Sequence, residues 1–317
     1  MKAAVVSSFG VNPEMEEFRE PEASAGETVI TVTAAPLSPI VKALAAGKHY
    51  ASGTAAGFVP GVDGVGTTSD GRRVYFLFPK APFGSMGEQS LASSDMLVPL
   101  PDDLSDDLAA AIATAGLASW IALTRRAKLQ KGETVLVSGA TGAAGRMGLQ
   151  VARHLGAGKV IAVGRSKAKL DELDADVKIA LGDDDADAAL RAEFDQGVDI
   201  VLDFIWGEPA SRIIKAAATN RGSFGGEPRV RYVQLGTLAG DEIPLRGDMF
   251  RSSGLEVMGS GIGSVAVKEL LVGAGELLAA SAEAGFSPPF ESVSLDRVGE
   301  AWSGNPDVRY IVQPHRS

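Results

Sequence analysis

Three glycines stand at G-x-x-G-x-x-G spacing, Gly139, Gly142 and Gly145, in the stretch Thr134-Val-Leu-Val-Ser-Gly-Ala-Thr-Gly-Ala-Ala-Gly-Arg-Met-Gly148. A β-branched apolar run leads into them and a helical pattern follows. In such a turn the backbone N–H groups and the positive end of the following helix form a cradle for a pyrophosphate. Gly139, Thr141, Gly142, Ala143, Ala144 and Gly145 make up that cradle. A second cluster, Gly164-Arg165-Ser166-Lys167, follows the next apolar run. A site for NADH offers an acid here to hold the free ribose diol. An Arg fork and a hydroxyl instead suit a 2′-phosphate, which an acid would repel. Together Gly164, Arg165 and Ser166 point to NADPH over NADH. The competing readings are a packing turn that binds nothing and a solvated helix start.

The elements that must position these residues are legible as a change of pattern. From residue 134 onward, strand-like runs (135–138, 160–163, 177–180, 200–204, 232–235 and 256–258) alternate with helical ones (147–155, 168–173, 186–194 and 212–218). Continuous apolar strands between helices predict a parallel sheet covered on both faces. That is a doubly wound dinucleotide-binding domain over about 125–263. The region before it reads as mostly β. Runs at 2–7, 27–34 and 73–78 are punctuated by Pro36, Pro39, Pro60 and Gly61, the pattern of a small barrel or folded sheet. Apolar residues at helical spacing predict a helix over 103–128 and another over 267–284. A short helical piece at 295–302 and a last strand at 310–314, returning to the first domain, complete the chain.

Length and composition narrow the partners. A chain of 317 residues exceeds one average core, so two domains are expected. A formal net charge of −10 disfavours nucleic acid and anionic membranes. No cysteine is present, which excludes disulfides, catalytic thiols and thiolate metal sites. The three histidines, His49, His154 and His315, are far apart, so no metal site is expected. The N-terminus lacks the apolar stretch of a secretory signal, and no run reaches the roughly 18 apolar residues of a membrane span. The expected location is the cytoplasm. No tyrosine is followed four residues later by lysine, which removes the short-chain dehydrogenase pattern.

At full length the chain resembles the medium-chain dehydrogenase/reductases and, among them, the zinc-free quinone oxidoreductase (zeta-crystallin-like) branch. The likeness rests on five motifs in the family's order. Pro60-Gly-Val-Asp-Gly-Val-Gly66 resembles its glycine-rich strand, and Ala115-Gly-Leu-Ala-Ser-Trp-Ile-Ala-Leu123 its helix into the cofactor domain. The 134–148 turn, Gln234-Leu-Gly-Thr237 and Met258-Gly-Ser260 resemble its cofactor loops. The resemblance implies an α/β fold: a GroES-like β-rich catalytic domain, 1–124 completed by 264–317, plus a Rossmann doubly wound cofactor domain, 125–263. It implies an active site between the domains and metal-free hydride transfer from NADPH to a quinone, an enone or a related carbonyl such as an aldehyde. It implies a homodimer through an edge strand near 254–261.

Residue roles carried by the resemblance follow. Tyr50 stands where the family often has an active-site tyrosine, a neutral donor at pH 7; a half-buried loop tyrosine is the competing reading. Ser119 stands where a cofactor-contacting threonine is common. Leu235, Gly236, Thr237, Gly259 and Ser260 belong to the loops after the fifth and sixth strands. Lys48 and His49 read as exposed loop residues, Asp63 as a structural carboxylate, and Trp120, Trp206 and Trp302 as packing residues. The chain departs from the family at Ser38-Pro-Ile-Val41, where Asn-Pro-x-Asp is common, and in a short loop between Gly66 and Gly71. Two other functions stay open: a metal-free alcohol or aldehyde oxidoreductase, and a non-catalytic NADPH-binding redox sensor.

Overall fold

Short β-branched runs between Gly and Pro punctuation become strands over the first hundred residues of the computed structural model, which describes residues 1–317 except 54, 220, 306, 307, 316 and 317. In chain order they are β1 (Lys2–Val5), β2 (Glu14–Glu17), β3 (Glu27–Leu37), β4 (Asp63–Thr68), β5 (Arg73–Leu77), β6 (Gln89–Ser93) and β7 (Leu97–Pro99). Helix α1 (Pro39–Ala45) starts on a proline, whose fixed φ suits a first helical turn. Helix α2 (Asp106–Ile121) continues through a π turn at Ala122–Arg126.

Parallel strands and helices then alternate. They are β8 (Thr134–Ser138), α3 (Ala143–His154), β9 (Lys159–Gly164), α4 (Lys167–Asp171), β10 (Val177–Ala180), α5 (Ala186–Gln196), β11 (Ile200–Asp203), α6 (Gly207–Ala218), β12 (Arg229–Gln234), α7 (Gly247–Ser252) and β13 (Gly254–Gly259). The chain ends with α8 (Val267–Ala284), β14 (Phe290–Ser294), α9 (Val298–Trp302) and β15 (Arg309–Gln313).

Two compact units result: Met1–Thr114 with Leu271–Ser317, and Ala115–Leu270. The division falls within α2 and α8. In the first unit a sheet runs β14-β15-β3-β4-β5-β7, with β6 also on β3. The apolar C-terminal run becomes β15, antiparallel to β3 with Tyr310 opposite Leu37. Val32, Val74, Phe76, Met86 and Val312 fill this unit's core.

In the second unit six parallel strands run in the order β10-β9-β8-β11-β12-β13. Counted within this unit that is 3-2-1-4-5-6, the doubly wound order, whose direction reverses between β8 and β11. Val135–Val137 and Val160–Val163 are wholly buried, as strands covered on both faces must be. Each such side chain contributes about 1.5–3 kcal/mol by leaving water. Helix α3 buries one face, Met147, Leu149, Val151 and Ala152 among others, and packs on β8 and β9.

By length and apolar composition the stretch Asp106–Arg126 does qualify as a membrane span, which a search for unbroken apolar runs misses. It is 67% buried inside the protein.

Candidate dinucleotide site

The strand register brings the sequence-predicted residues to one edge. Ser138 lies opposite both Val163 and Asp203, Asp203 opposite Gln234, and Gln234 opposite Gly259. The loops that begin at Gly139, Arg165, Leu235 and Ser260 therefore all leave the carboxyl edge of the second unit's sheet. Ligands of doubly wound sheets bind there, at the point where strand order reverses.

Each glycine of the turn has its own reason. Gly139 has φ +83°, a left-handed conformation, and it and Ala140 donate to the Val163 carbonyl at 3.0 Å each. A Cβ on Gly139 would also meet Ile205 at 2.7 Å. Gly142 is the N-cap of α3, with no side-chain cap. The first N–H groups of that helix thus have no intrahelical acceptor. Gly145 is fixed by packing: a Cβ there would lie 2.2 Å from the Gly139 carbonyl oxygen and 2.7 Å from Ala140 Cα. Nearby, the buried Ser138 hydroxyl has no hydrogen-bond partner among the described residues. A turn cleared of side chains beside a helix N-terminus fits a dinucleotide pyrophosphate.

Around this turn the other predicted residues are placed as follows. Thr141 packs its methyl against Gly164, where a Cβ would come within 3.2 Å. Arg165 is exposed and makes no ion pair or side-chain hydrogen bond with another described residue. Ser166 caps α4 by accepting from Lys169 N–H at 3.4 Å. Lys167 is paired with Asp171 at 3.9 Å. An uncommitted guanidinium beside a serine fits a 2′-phosphate. Leu235 and Gly236 donate to the Asp203 carbonyl at 2.7 and 3.3 Å, and Ser260 N–H donates to the Gln234 carbonyl at 2.9 Å. Thr237 is exposed, and Gly259 accepts from Arg126 Nε at 2.9 Å. Ser119 is fully buried on α2, its hydroxyl facing Gly148 of α3.

Asp203, at the end of β11, organises the turn into α6. Fully buried, its carboxylate accepts from Tyr232 OH at 2.8 Å, Ile205 N–H at 3.0 Å and Trp206 N–H at 3.2 Å. Burial above all, then the Asp203 charge and hydrogen bond, push the Tyr232 phenol well above its ordinary range, so it stays a donor. Trp206 sits at φ +56°, ψ −156°, a conformation used almost only by glycine that costs an L residue on the order of 1–3 kcal/mol. Its partly buried indole meets Tyr232 edge to face, with centroids 6.3 Å apart.

In the first unit, Tyr50 follows α1, is 75% exposed and lies against the His49 ring at 4.1 Å. His49 Nδ1 accepts from Ala51 N–H at 3.1 Å, and partial burial holds its pKa below the ordinary value. Ser38, buried at the start of α1, has no partner for its hydroxyl among the described residues, and Val41 is buried too. Asp63 is wholly buried and accepts from Tyr75 OH at 3.1 Å. Burial raises its pKa to about 7, against the opposing pull of the Tyr75 hydrogen bond and the Arg309 charge. Buried Arg309 donates to the Leu37 carbonyl at 3.1 Å, next to Ser38.

No protein-family model matches the chain. It is 31% identical over 189 residues, 58% of its length, to a phenolphthiocerol/phthiocerol polyketide synthase of Mycobacterium tuberculosis, and spans only 8% of that synthase. It is 30% identical over 285 residues to a probable NADPH-dependent quinone reductase of Emericella nidulans, covering 76% of this chain and 79% of the relative. The crystal structure of the quinone oxidoreductase of Thermus thermophilus, solved also with NADPH, superposes with a TM-score of 0.83 at 26% identity, over 99% of this chain and all of that one. The chain belongs to the quinone oxidoreductase family of medium-chain dehydrogenase/reductases. Its fold is that family's GroES-like plus Rossmann pair.

Within this quinone oxidoreductase fold, sequence reasoning missed the Asp203 cluster. An acid at a strand end is a weak signal, and nothing in Phe204-Ile205-Trp206-Gly207 announces a tryptophan in a glycine conformation. A cavity of about 550 Å³ does open on the same unit, lined by Arg126, Lys128, Glu133, Asp199, Arg229 and Arg231. Glu133, Asp199 and Arg229 precede or begin β8, β11 and β12, so it lies toward the amino ends of those strands. Its acids are committed, Glu133 to Arg231 at 2.5 Å and Asp199 to Thr134 N–H at 2.8 Å. None of the predicted site residues lines it.

Proposed function

We propose that this chain is a zinc-independent NADPH-dependent oxidoreductase that reduces a quinone or an α,β-unsaturated carbonyl compound. The observation that carries the reading is the glycine turn at the strand-order reversal, with Arg165 uncommitted one residue beyond β9. Gly139–Gly145 and the first turn of α3 would hold the pyrophosphate, and Arg165 with Ser166 the 2′-phosphate. Leu235, Gly236, Thr237, Gly259 and Ser260 would line the nicotinamide half. Bound NADPH supplies a hydride, and the acceptor, reduced by two electrons, takes its proton from solvent or a donor side chain. Tyr50 is the candidate donor, since its exposed hydroxyl can stabilise charge developing on an acceptor oxygen.

Reduction of an alkene conjugated to a carbonyl is the same hydride step at carbon. We further propose a homodimer joined along the β13 edge.

The test is NADPH oxidation followed at 340 nm with a panel of quinones and enones, on wild type and Tyr50→Phe. The expected result is turnover with at least one acceptor and a fall in kcat of about 10²-fold in the variant if Tyr50 is the proton donor. Dinucleotide binding with no turnover on any acceptor would replace the enzyme reading with a binding role.

A further inference from the structure

The strain at Trp206 needs a reason. A glycine would hold φ +56°, ψ −156° at little cost, yet the chain carries its bulkiest side chain there. The conformation is actively held. Asp203 accepts from both Ile205 and Trp206 N–H, and Tyr232 OH holds the other side of that carboxylate. The next residue, Gly207, has φ +61° and is pinned by close approach, since a Cβ there would lie 2.5 Å from the Ala239 carbonyl oxygen. Ala239 N–H donates to the Ile205 carbonyl at 2.8 Å, and Ile205 packs on Gly139. The strained residue therefore stands between the glycine turn and the 235–240 loop. Strain that surroundings over-determine in this way marks functional positions.

The indole packs against this unit's core with part of its surface and leaves the rest exposed. It follows β11, the first strand of the second mononucleotide-binding half, which in doubly wound folds holds the half of the dinucleotide farther from the glycine turn. We propose that Trp206 is a specificity-determining residue whose indole forms part of the wall of the nicotinamide half of the site, and that Asp203 is the positioning residue that holds it there. This rests on the dinucleotide-binding reading above. In this conformation the residue stands at the carboxyl edge of the sheet, where stacking of an aromatic face on a planar ring is favourable.

Isothermal titration with NADPH and thermal melting of the unliganded protein, on wild type, Trp206→Phe, Trp206→Ala and Trp206→Gly, test this. Trp206→Phe should bind within about 3-fold of wild type, while the alanine and glycine variants weaken about 10-fold. Trp206→Gly should melt about 2–4 °C above Trp206→Ala, because glycine relieves the backbone strain. Alanine and glycine variants that bind as tightly as wild type would make the ring a packing residue and overturn the inference alone. A glycine variant that melts no higher than alanine would remove the strain on which it rests. Wild type that gives no NADPH binding would overturn the dinucleotide reading and this inference together.

Discussion

An uncommitted arginine is informative because most of the other described arginines pair with an acid. Arg146, Arg153, Arg191, Arg212 and Arg229 all have acidic partners, whereas Arg165 stands exposed without one. A charge-assisted bond to a phosphate is worth about 1.5–3 kcal/mol. Arg165→Ala should therefore weaken NADPH binding by about 10- to 100-fold and leave NADH binding unchanged, as parallel titrations would show. Equal weakening of both dinucleotides would assign Arg165 elsewhere. Asp63 carries a second residue-scale expectation. Between its ordinary pKa of 3.8 and about 7, the unfolded chain is ionised at this position while the folded protein keeps the proton. The folded state thus loses stability as pH rises through that window, and the loss is complete above about 7. Melting temperatures of wild type minus Asp63→Asn should fall from pH 4.5 to pH 8. Parallel curves for the two proteins would show that Asp63 is ionised throughout.

The second and third glycines of the turn are alike on paper and differ in space. Gly142 has φ −77°, and its Cβ would meet only the Gly139 carbonyl oxygen, at 3.6 Å. Gly142→Ala should cost under about 1 kcal/mol, the scale of an N-cap change. Gly145→Ala drives a Cβ into backbone and should cost about 1–3 kcal/mol. Denaturant melts of both variants check the order, and equal costs would refute the packing role given to Gly145. The same glycines explain where the sequence is hard to read. Periodicity predicts a helix from residue 147, but α3 starts at Ala143, because Gly142 and Gly145 look like turn even when the latter is a helical residue packed on the turn. The helix over 267–284 is legible to the residue, and the apolar parallel strands to within a few residues, since burial on both faces leaves an unbroken apolar run. A strand with no apolar run at all is not legible. The stretch Glu14-Met-Glu-Glu17 is exposed throughout, and its pairing with Lys2–Val5 is set by tertiary neighbours. Trp206 reads as packing because side-chain type says nothing of φ.

At the scale of the whole molecule, the order 3-2-1-4-5-6 is foreseeable in class, because alternating strands and helices admit few other sheets. What a doubly wound sheet leaves open is its outer edges. β13 is the last strand of the second unit's sheet, bonded to β12 on one side. Glu256 and Val257 on it are exposed, with Val257 at 36%. A six-residue edge of this kind is a template for another strand, and proteins that stay monomeric blunt such edges with lysine, proline or a bulge. β13 carries none of these: its sequence is Gly-Leu-Glu-Val-Met-Gly. A second copy meeting it through the same edge would extend the sheet across a two-fold axis, the commonest closed symmetry. Sedimentation equilibrium should accordingly give twice the 32.7 kDa chain mass, and Val257→Lys, which adds a lysine beside Glu256 on the edge, should shift the protein toward one chain with the melting temperature of each unit little changed. A wild-type mass of a single chain at micromolar concentration would mean that β13 stays unpaired, and the exposed Val257 would then need another explanation.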